Sequence, residues 1–253
     1  MFPVLQLGPL AIRTAGLLLL AGGFLGLHVA EGRASRRGLH PDRMYALVML
    51  VFAVGILGAR LSFAAQHPGA FRSSPLSLIS LDLSLLDPFG GLALALVAGL
   101  VYGQKKRLAF WPTLDAFTPA LAVFAVFLGL SHWAAGSAFG APTSLPWGIE
   151  LWGAKRHPSQ IYEILAALVI LTIFWRRFDR EDAAGRLFLG FIALSAGAAL
   201  FLGAFRGDST LLPGGLRLDQ VLAWFVLAAS LWLLEHRSGG QAEGQSPKSS
   251  PSS

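Results

Sequence analysis

The sequence predicts an all-α integral membrane protein with about seven transmembrane helices, followed by a short polar tail. Hydrophobic residues make up 54% of the chain and charged residues 13%. The charged fraction is about half that of a typical soluble domain, which favours the membrane class. Apolar runs of the length needed to cross a bilayer recur along the chain, and basic residues collect between alternate runs. We therefore expect a single membrane domain over residues 1–237.

Seven apolar stretches carry this prediction, and each ends at a basic cluster or at a Pro/Gly turn. They are residues 9–31, 44–65, 89–104, 117–139, 158–177, 186–206 and 218–235. The first stretch is expected to be a retained helix. No basic residue precedes Arg13, and the apolar run is long for the central region of a signal peptide.

The loop charges predict the orientation. Thirteen of the 20 lysines and arginines lie after the first, third and fifth stretches and in the tail. The positive-inside rule makes these regions cytoplasmic, with the N-terminus outside and the C-terminus inside. The other seven basic residues lie on or near the outer face. They either snorkel to the head groups or have a function there.

Three polar or mixed regions lie outside the apolar stretches. Residues 73–87 alternate with period two, which predicts an outer-face strand or interfacial arm. Residues 141–157 contain Trp147 and Trp152, which suit the head-group region. Residues 238–253 are rich in Gly, Ser, Gln and Pro and are expected to form a disordered cytoplasmic tail.

Small residues at helical spacing predict close helix packing. They are Gly22 and Gly26 in the first stretch, and Gly190, Ala193, Gly197 and Ala204 in the sixth.

Composition also narrows the chemistry. The chain has no cysteine, so a thiol in any reaction must come from a substrate. Basic and aromatic residues do not interleave on one face, which argues against nucleic-acid binding. We expect no metal and no cofactor.

Ionisable side chains near the ends of the apolar stretches are the candidate functional residues, because burying them in hydrocarbon is costly. The densest set is residues 156–163, which read Arg-His-Pro-Ser-Gln-Ile-Tyr-Glu. Glu163 requires a partner at its depth, and an arginine is the natural one. Arg60 and Arg206 are expected at the same outer boundary. Such a set either binds a phosphate or forms a salt-bridge network that holds the helices together.

His132 is a separate candidate within the fourth stretch, two turns or so before its outer end. A histidine in an apolar helix either packs through a hydrogen bond or takes part in catalysis.

The 156–163 segment resembles the R-H-P-[ST]-Q-x-Y-E motif of the bacterial prolipoprotein diacylglyceryl transferases. Weaker similarities follow the family's order along residues 8–236. They are Gly58-Ala59-Arg60, Phe89-Gly90-Gly91-Leu92, Asp115 with Pro119, the segment 140–149, and Phe205-Arg206 with Asp208. Seven spans with the N-terminus outside is also the family's arrangement.

The resemblance implies an enzyme of the bacterial inner membrane whose active face points outward. It would transfer the diacylglyceryl group of phosphatidylglycerol to the lipobox cysteine thiol in a preprolipoprotein signal peptide. In a working enzyme with a rearranged site, His157 or His132 would be the base, and Glu163 would orient an arginine. The phospholipid would be held by Arg60, Arg156, Arg206, Gln160, Tyr162, Gly90 and Gly91.

The sequence departs from the family pattern at five polar positions. Gly129 stands in place of the signature arginine and His132 in place of its asparagine. Ser137 replaces an acidic residue, Phe89 a histidine and Ala15 a tyrosine. Two hypotheses follow: a working transferase with a rearranged site, or a catalytically degenerate relative that binds phospholipid or a membrane partner without turnover. Both predict an outer-leaflet cavity lined by Arg60, Arg206 and the 156–163 segment.

Overall fold

Seven helices are present in the part of the chain that the structure describes. This computed structural model describes residues 4–7, 10–34, 40–69, 86–180 and 183–243. The helices are α1 (Thr14–Ala34), α2 (Pro41–Gln66), α3 (Pro88–Lys105), α4 (Phe110–Ala135), α5 (Ser159–Trp175), α6 (Arg186–Leu202) and α7 (Leu218–Glu243). Helices α1, α2, α4, α6 and α7 are long and apolar enough to cross a membrane, and α3 and α5 are shorter apolar helices.

The helices coincide with the seven predicted stretches, with differences at their ends. Helix α4 was expected over 117–139, but it begins seven residues earlier, at Phe110, and ends at Ala135. The first stretch was expected to be helical from residue 9, but strands β1 (Val4–Leu7) and β2 (Leu10–Arg13) pair as an antiparallel hairpin before α1. In the sequence, the turn-forming dipeptide Gly-Pro separates the two strands, which favours this pairing. Helix α7 continues to Glu243, inside the predicted tail. Most of the predicted 73–87 arm lies outside the described residues.

The chain divides into two compact units, Leu27–Ala116 and the remainder. The single domain predicted over residues 1–237 stays a prediction. In the first unit, α2 and α3 pack closely, because Gly58 lies against Leu94. The Asp87 carboxylate caps α3 by accepting hydrogen bonds from the Phe89 and Gly90 amides. It also accepts from Ser62 Oγ at 2.6 Å, which ties it to α2.

In the other unit, the first part of α1 packs on α4 through the predicted glycine pair. Gly22 faces the Phe127 side chain, and a Cβ on Gly26 would lie 2.7 Å from the Ala120 carbonyl oxygen. The small residues of the sixth stretch behave less uniformly. Ala193 is buried, whereas Gly197 has open space around it.

A core of aromatic and aliphatic side chains joins α4, α5, α6 and the α5–α6 connection. It comprises Ala122, Ile170, Phe174, Phe178, Leu187 and Phe191. The core lies in the half of each helix that contains Phe117 in α4, Trp175 in α5 and Arg186 in α6. The candidate site is formed at the opposite ends of these three helices.

Short extended segments cover the opposite ends. Strands β3 (Ile149–Leu151) and β4 (Ala154–Arg156) form a hairpin whose turn residues, Trp152 and Gly153, both have positive φ. Two central residues of this kind fit the right-handed twist of a tight hairpin.

The segment 139–143 lies between the hairpin and the end of α6. On one side, the amides of Thr143 and His157 donate to the carbonyls of Lys155 and Ala141. On the other side, the Ala141 amide donates to the Phe205 carbonyl at 2.8 Å. We call residues 139–143, 154–157 and 205–207 the loop sheet. It fixes the position of Arg206, which directly follows the 3₁₀ turn Gly203–Phe205.

Candidate functional site

A cavity of about 280 Å³ lies between α4, α5, α6 and the start of α7. Its polar lining is His132, Glu163, Ser195, Arg206 and Asp219, and the rest is Gly, Ala, Leu, Ile and Phe. Along α5 the lining runs from Glu163 to Ile170, about 10 Å at 1.5 Å per residue. The cavity therefore offers one charged end and one apolar end, which suits an amphiphilic ligand.

The charged end is organised around Glu163. Its Oε2 lies 2.9 Å from His132 Nδ1, and its Oε1 lies 3.5 Å from Arg206 Nη1. Arg206 also binds Asp208 in bidentate fashion, with Nε and Nη2 at 3.0 and 3.2 Å from the two carboxylate oxygens. These side chains are each about a quarter exposed. Glu163 thus joins a histidine and an arginine that come from different helices.

Arg206 is held in its charged form. Burial acts to lower its pKa, but the hydrogen bonds and the charge of Asp208, with the charges of Glu163 and Asp219, raise the pKa above its ordinary value. A permanently cationic guanidinium at the charged end of a largely apolar cavity can bind a phosphate.

The end of α6 that carries Arg206 is capped by Arg217. The Arg217 Nη1 donates to the carbonyl oxygens of Gly203, Ala204 and Arg206, with the last at 2.7 Å. The last carbonyls of a helix lack partners within the helix and carry partial negative charge, so a cation there is favourable. Arg217 is one of the seven basic residues expected on or near the outer face, and the sequence alone did not indicate this capping role.

Arg156 uses its donors within the loop sheet and its hairpin. Its Nε donates to the Leu151 carbonyl at 3.0 Å and its Nη1 to the Gly140 carbonyl at 3.3 Å. The guanidinium also lies 5.0 Å from the centre of the Phe139 ring. Arg156 does not line the cavity, and its role in binding phosphate stays a prediction.

Three other residues of the 156–163 motif support the local structure. The His157 ring packs against Tyr162 and Phe205, and His157 is outside the cavity lining. Tyr162 accepts a hydrogen bond from Trp147 Nε1 at 3.0 Å. Gln160 is fully buried and donates to the Ser137 carbonyl at 2.9 Å. Their catalytic and lipid-binding roles stay predictions.

His132 lies in the last turn of α4, because the helix ends at Ala135. The predicted depth of two turns was wrong, since the apolar run continues past the end of the helix into residues 136–139. This position places the imidazole at the charged end of the cavity.

Gly129 also lines the cavity, one turn before His132. A Cβ at this position would lie 2.8 Å from Ile164 Cγ1 and 3.3 Å from the Ile164 amide nitrogen. At the position where the family pattern has its signature arginine, α4 therefore packs closely on α5.

Arg60, Gly90 and Gly91 belong to the unit Leu27–Ala116. Arg60 is 9% exposed. A Cβ on Gly91 would lie 2.7 Å from the Gly55 carbonyl oxygen, and a Cβ on Gly90 would collide with Ser62. The two glycines thus have a packing reason within this unit. The predicted cavity shared by Arg60 and Arg206 stays a prediction.

Comparison with known proteins gives consistent results. The family described as prolipoprotein diacylglyceryl transferase matches residues 3–235. The chain is 31% identical to the phosphatidylglycerol–prolipoprotein diacylglyceryl transferase of Solidesulfovibrio magneticus, covering 95% of this chain and 96% of the relative. It is 32% identical to that of Bordetella parapertussis, covering 92% and 94%. It is 28% identical to that of Bacillus licheniformis, covering 92% and 90%.

Proposed function

Because the chain belongs to the prolipoprotein diacylglyceryl transferase family, we propose that it transfers the diacylglyceryl group of phosphatidylglycerol to a prolipoprotein cysteine. The observation that carries the proposal is the match over residues 3–235, with relatives of the same name aligned over nearly their full lengths. The reaction forms a thioether and releases glycerol phosphate.

The cavity supplies groups that this reaction needs. Its apolar end suits the hydrocarbon part of the lipid. Arg206 at the charged end would bind the phosphate and stabilise the charge that develops on the leaving group. The substrate brings the thiol, which agrees with a chain that contains no cysteine. A histidine would accept the thiol proton.

The proposal includes a location and an orientation. All seven helices would cross the bacterial inner membrane, with the N-terminus outside and the C-terminus in the cytoplasm. The five long apolar helices support membrane insertion, and the loop charges support this direction. The loop sheet and the charged end of the cavity would then face outward, where the signal peptide presents its cysteine.

Complementation tests the proposal. The chain is expressed in a bacterium depleted of its own diacylglyceryl transferase, beside a vector control and the variant Arg206→Ala. We expect wild type to restore growth and lipidation of a reporter lipoprotein, and the variant to fail at equal membrane abundance. A wild-type protein that is abundant in the membrane but gives no rescue would favour the degenerate relative, which binds phospholipid without turnover.

A further inference from the structure

The contact between His132 and Glu163 is not part of the family pattern, because the family has an asparagine at the position of His132. Resting on the proposed function, we infer that His132 is the base that takes the proton of the substrate thiol. Glu163 is its positioning residue. The following contacts carry this inference.

The hydrogen bond defines which ring nitrogen reacts. Glu163 Oε2 lies 2.9 Å from His132 Nδ1. A neutral imidazole that donates its Nδ1 proton to a carboxylate keeps the lone pair on Nε2. Nε2 has no hydrogen-bond partner among the described residues, and the side chain is 28% exposed and lines the cavity. Nε2 is thus the nitrogen available to a substrate.

The other charged side chains that line the cavity are two carboxylates, which favour a histidine that becomes cationic during the reaction, and one arginine, which opposes it. They are Glu163 on α5, Arg206 at the end of α6, and Asp219 on α7. The Glu163 carboxylate is in direct contact with the ring and stabilises an imidazolium. The same carboxylate contacts Arg206, so the base and the phosphate-binding group share one residue.

His157 lacks these properties. Its ring centre lies 5.2 Å from that of Phe205 and 6.3 Å from that of Tyr162. Its Nδ1 is buried and has no hydrogen-bond partner among the described residues, so no carboxylate orients it. His157 is also outside the cavity lining.

The reaction step balances without a further reagent. The thiol proton moves to His132 Nε2, and the sulfur electron pair attacks the diacylglycerol carbon that carries the phosphate ester. The carbon–sulfur bond forms as the carbon–oxygen bond breaks. The bonding pair stays on the oxygen of glycerol phosphate beside Arg206. The imidazolium then returns its proton to the leaving phosphate or to water.

The experiment measures thioether formation between phosphatidylglycerol in vesicles and a lipobox peptide from pH 5 to 9. The key variant is His132→Asn, which restores the residue of the family pattern. We expect kcat to fall about 10²- to 10⁴-fold. The pH profile of the rate should also differ from that of wild type, because the variant lacks the base.

Two variants serve as comparisons. Glu163→Gln should lower the rate but leave some of the activity that His132→Asn loses, because the base is still present but its ring is no longer held by a carboxylate. His236→Asn, a matched change at an exposed histidine bound to the Trp232 carbonyl, should leave rate and pH profile unchanged. A His132→Asn protein with the wild-type rate and pH profile overturns the inference while the proposed function stands.

A second measurement does not depend on turnover. Nitrogen-15 NMR of histidine-labelled protein in nanodiscs, with His132→Asn for assignment, reports the tautomer of His132. We expect the Nδ1-protonated form in wild type. An Nε2-protonated form overturns the inference, because the reacting lone pair would be absent. If wild type forms no product, the proposed function fails, and the base role of His132 fails with it.

Discussion

The packing of Gly129 against Ile164 yields a quantitative prediction for Gly129→Ala. The added Cβ would lie 2.8 Å from Ile164 Cγ1, about 1 Å inside the usual carbon–carbon separation of 3.5–4.0 Å. Overpacking of this kind costs about 1–3 kcal/mol. The gain in helix propensity from glycine to alanine offsets about 1 kcal/mol. We therefore expect a net loss of about 0–2 kcal/mol.

The decisive quantity is the coupling with Ile164→Ala, which removes the Cγ1 atom. In that background the overlap disappears, so Gly129→Ala should become neutral or stabilising. We expect a coupling free energy of about 1–3 kcal/mol between the two positions. Thermal unfolding of the four proteins in one detergent measures it, at about 2–4 °C in Tm per kcal/mol for a chain of this size. Equal Tm changes in both backgrounds would refute the packing account.

Three further predictions follow from the charged end of the cavity and from the cap of α3. Arg206→Ala should lower kcat about 10²- to 10³-fold. Arg206→Lys keeps the charge but loses the bidentate geometry, so its kcat should lie between those of wild type and Arg206→Ala. The control is Arg176→Ala, at an exposed arginine directly after α5, which should leave kcat unchanged; a fully active Arg206→Ala would exclude Arg206 as the phosphate anchor. Arg217→Ala removes the cap of α6 and should cost about 1–3 kcal/mol, with lower transfer activity because Arg206 follows that helix end; an unchanged Tm would show that the cap is dispensable. The hydrogen bond from Ser62 holds the pKa of Asp87 below its usual value, against the effect of burial and with help from the Phe89 and Gly90 amides and Gln66. The resulting stability is present above about pH 4 and is lost as the pH falls through the lowered pKa, so the Tm difference between wild type and Asp87→Asn should shrink on acidification; a difference that does not change down to pH 2.5 would contradict this.

The helices were predictable because each depends on local composition. Apolar runs bounded by charges or by Pro and Gly determine where α2 to α6 lie, and the structure agrees closely except at the start of α4, which begins at Phe110 instead of residue 117. The start of α1 was not predicted, because the residues before Thr14 are as apolar as a helix but pair with Val4–Leu7 instead. Hydropathy does not distinguish an apolar hairpin from an apolar helix.

The site was only partly predictable, for a different reason. His132, Glu163 and Arg206 were predicted as site residues because they are ionisable side chains near helix ends, and such groups are costly to bury in a membrane. Their pairing spans 31 and 43 residues and depends on how α4, α5 and α6 pack. The contacts of Arg156 with the hairpin and with Gly140 likewise arise from the loop sheet, whose pairing joins distant segments.

Direct observation of the product tests the central claim. The purified chain is incubated with phosphatidylglycerol vesicles and a lipobox peptide, and the peptide is analysed by mass spectrometry. The account predicts a diacylglyceryl thioether on the cysteine, with release of glycerol phosphate in equal amount. Arg206→Ala should form far less product, and a peptide that has serine in place of cysteine should form none. Unmodified peptide, from a folded wild-type protein that binds the vesicle lipid, would contradict it.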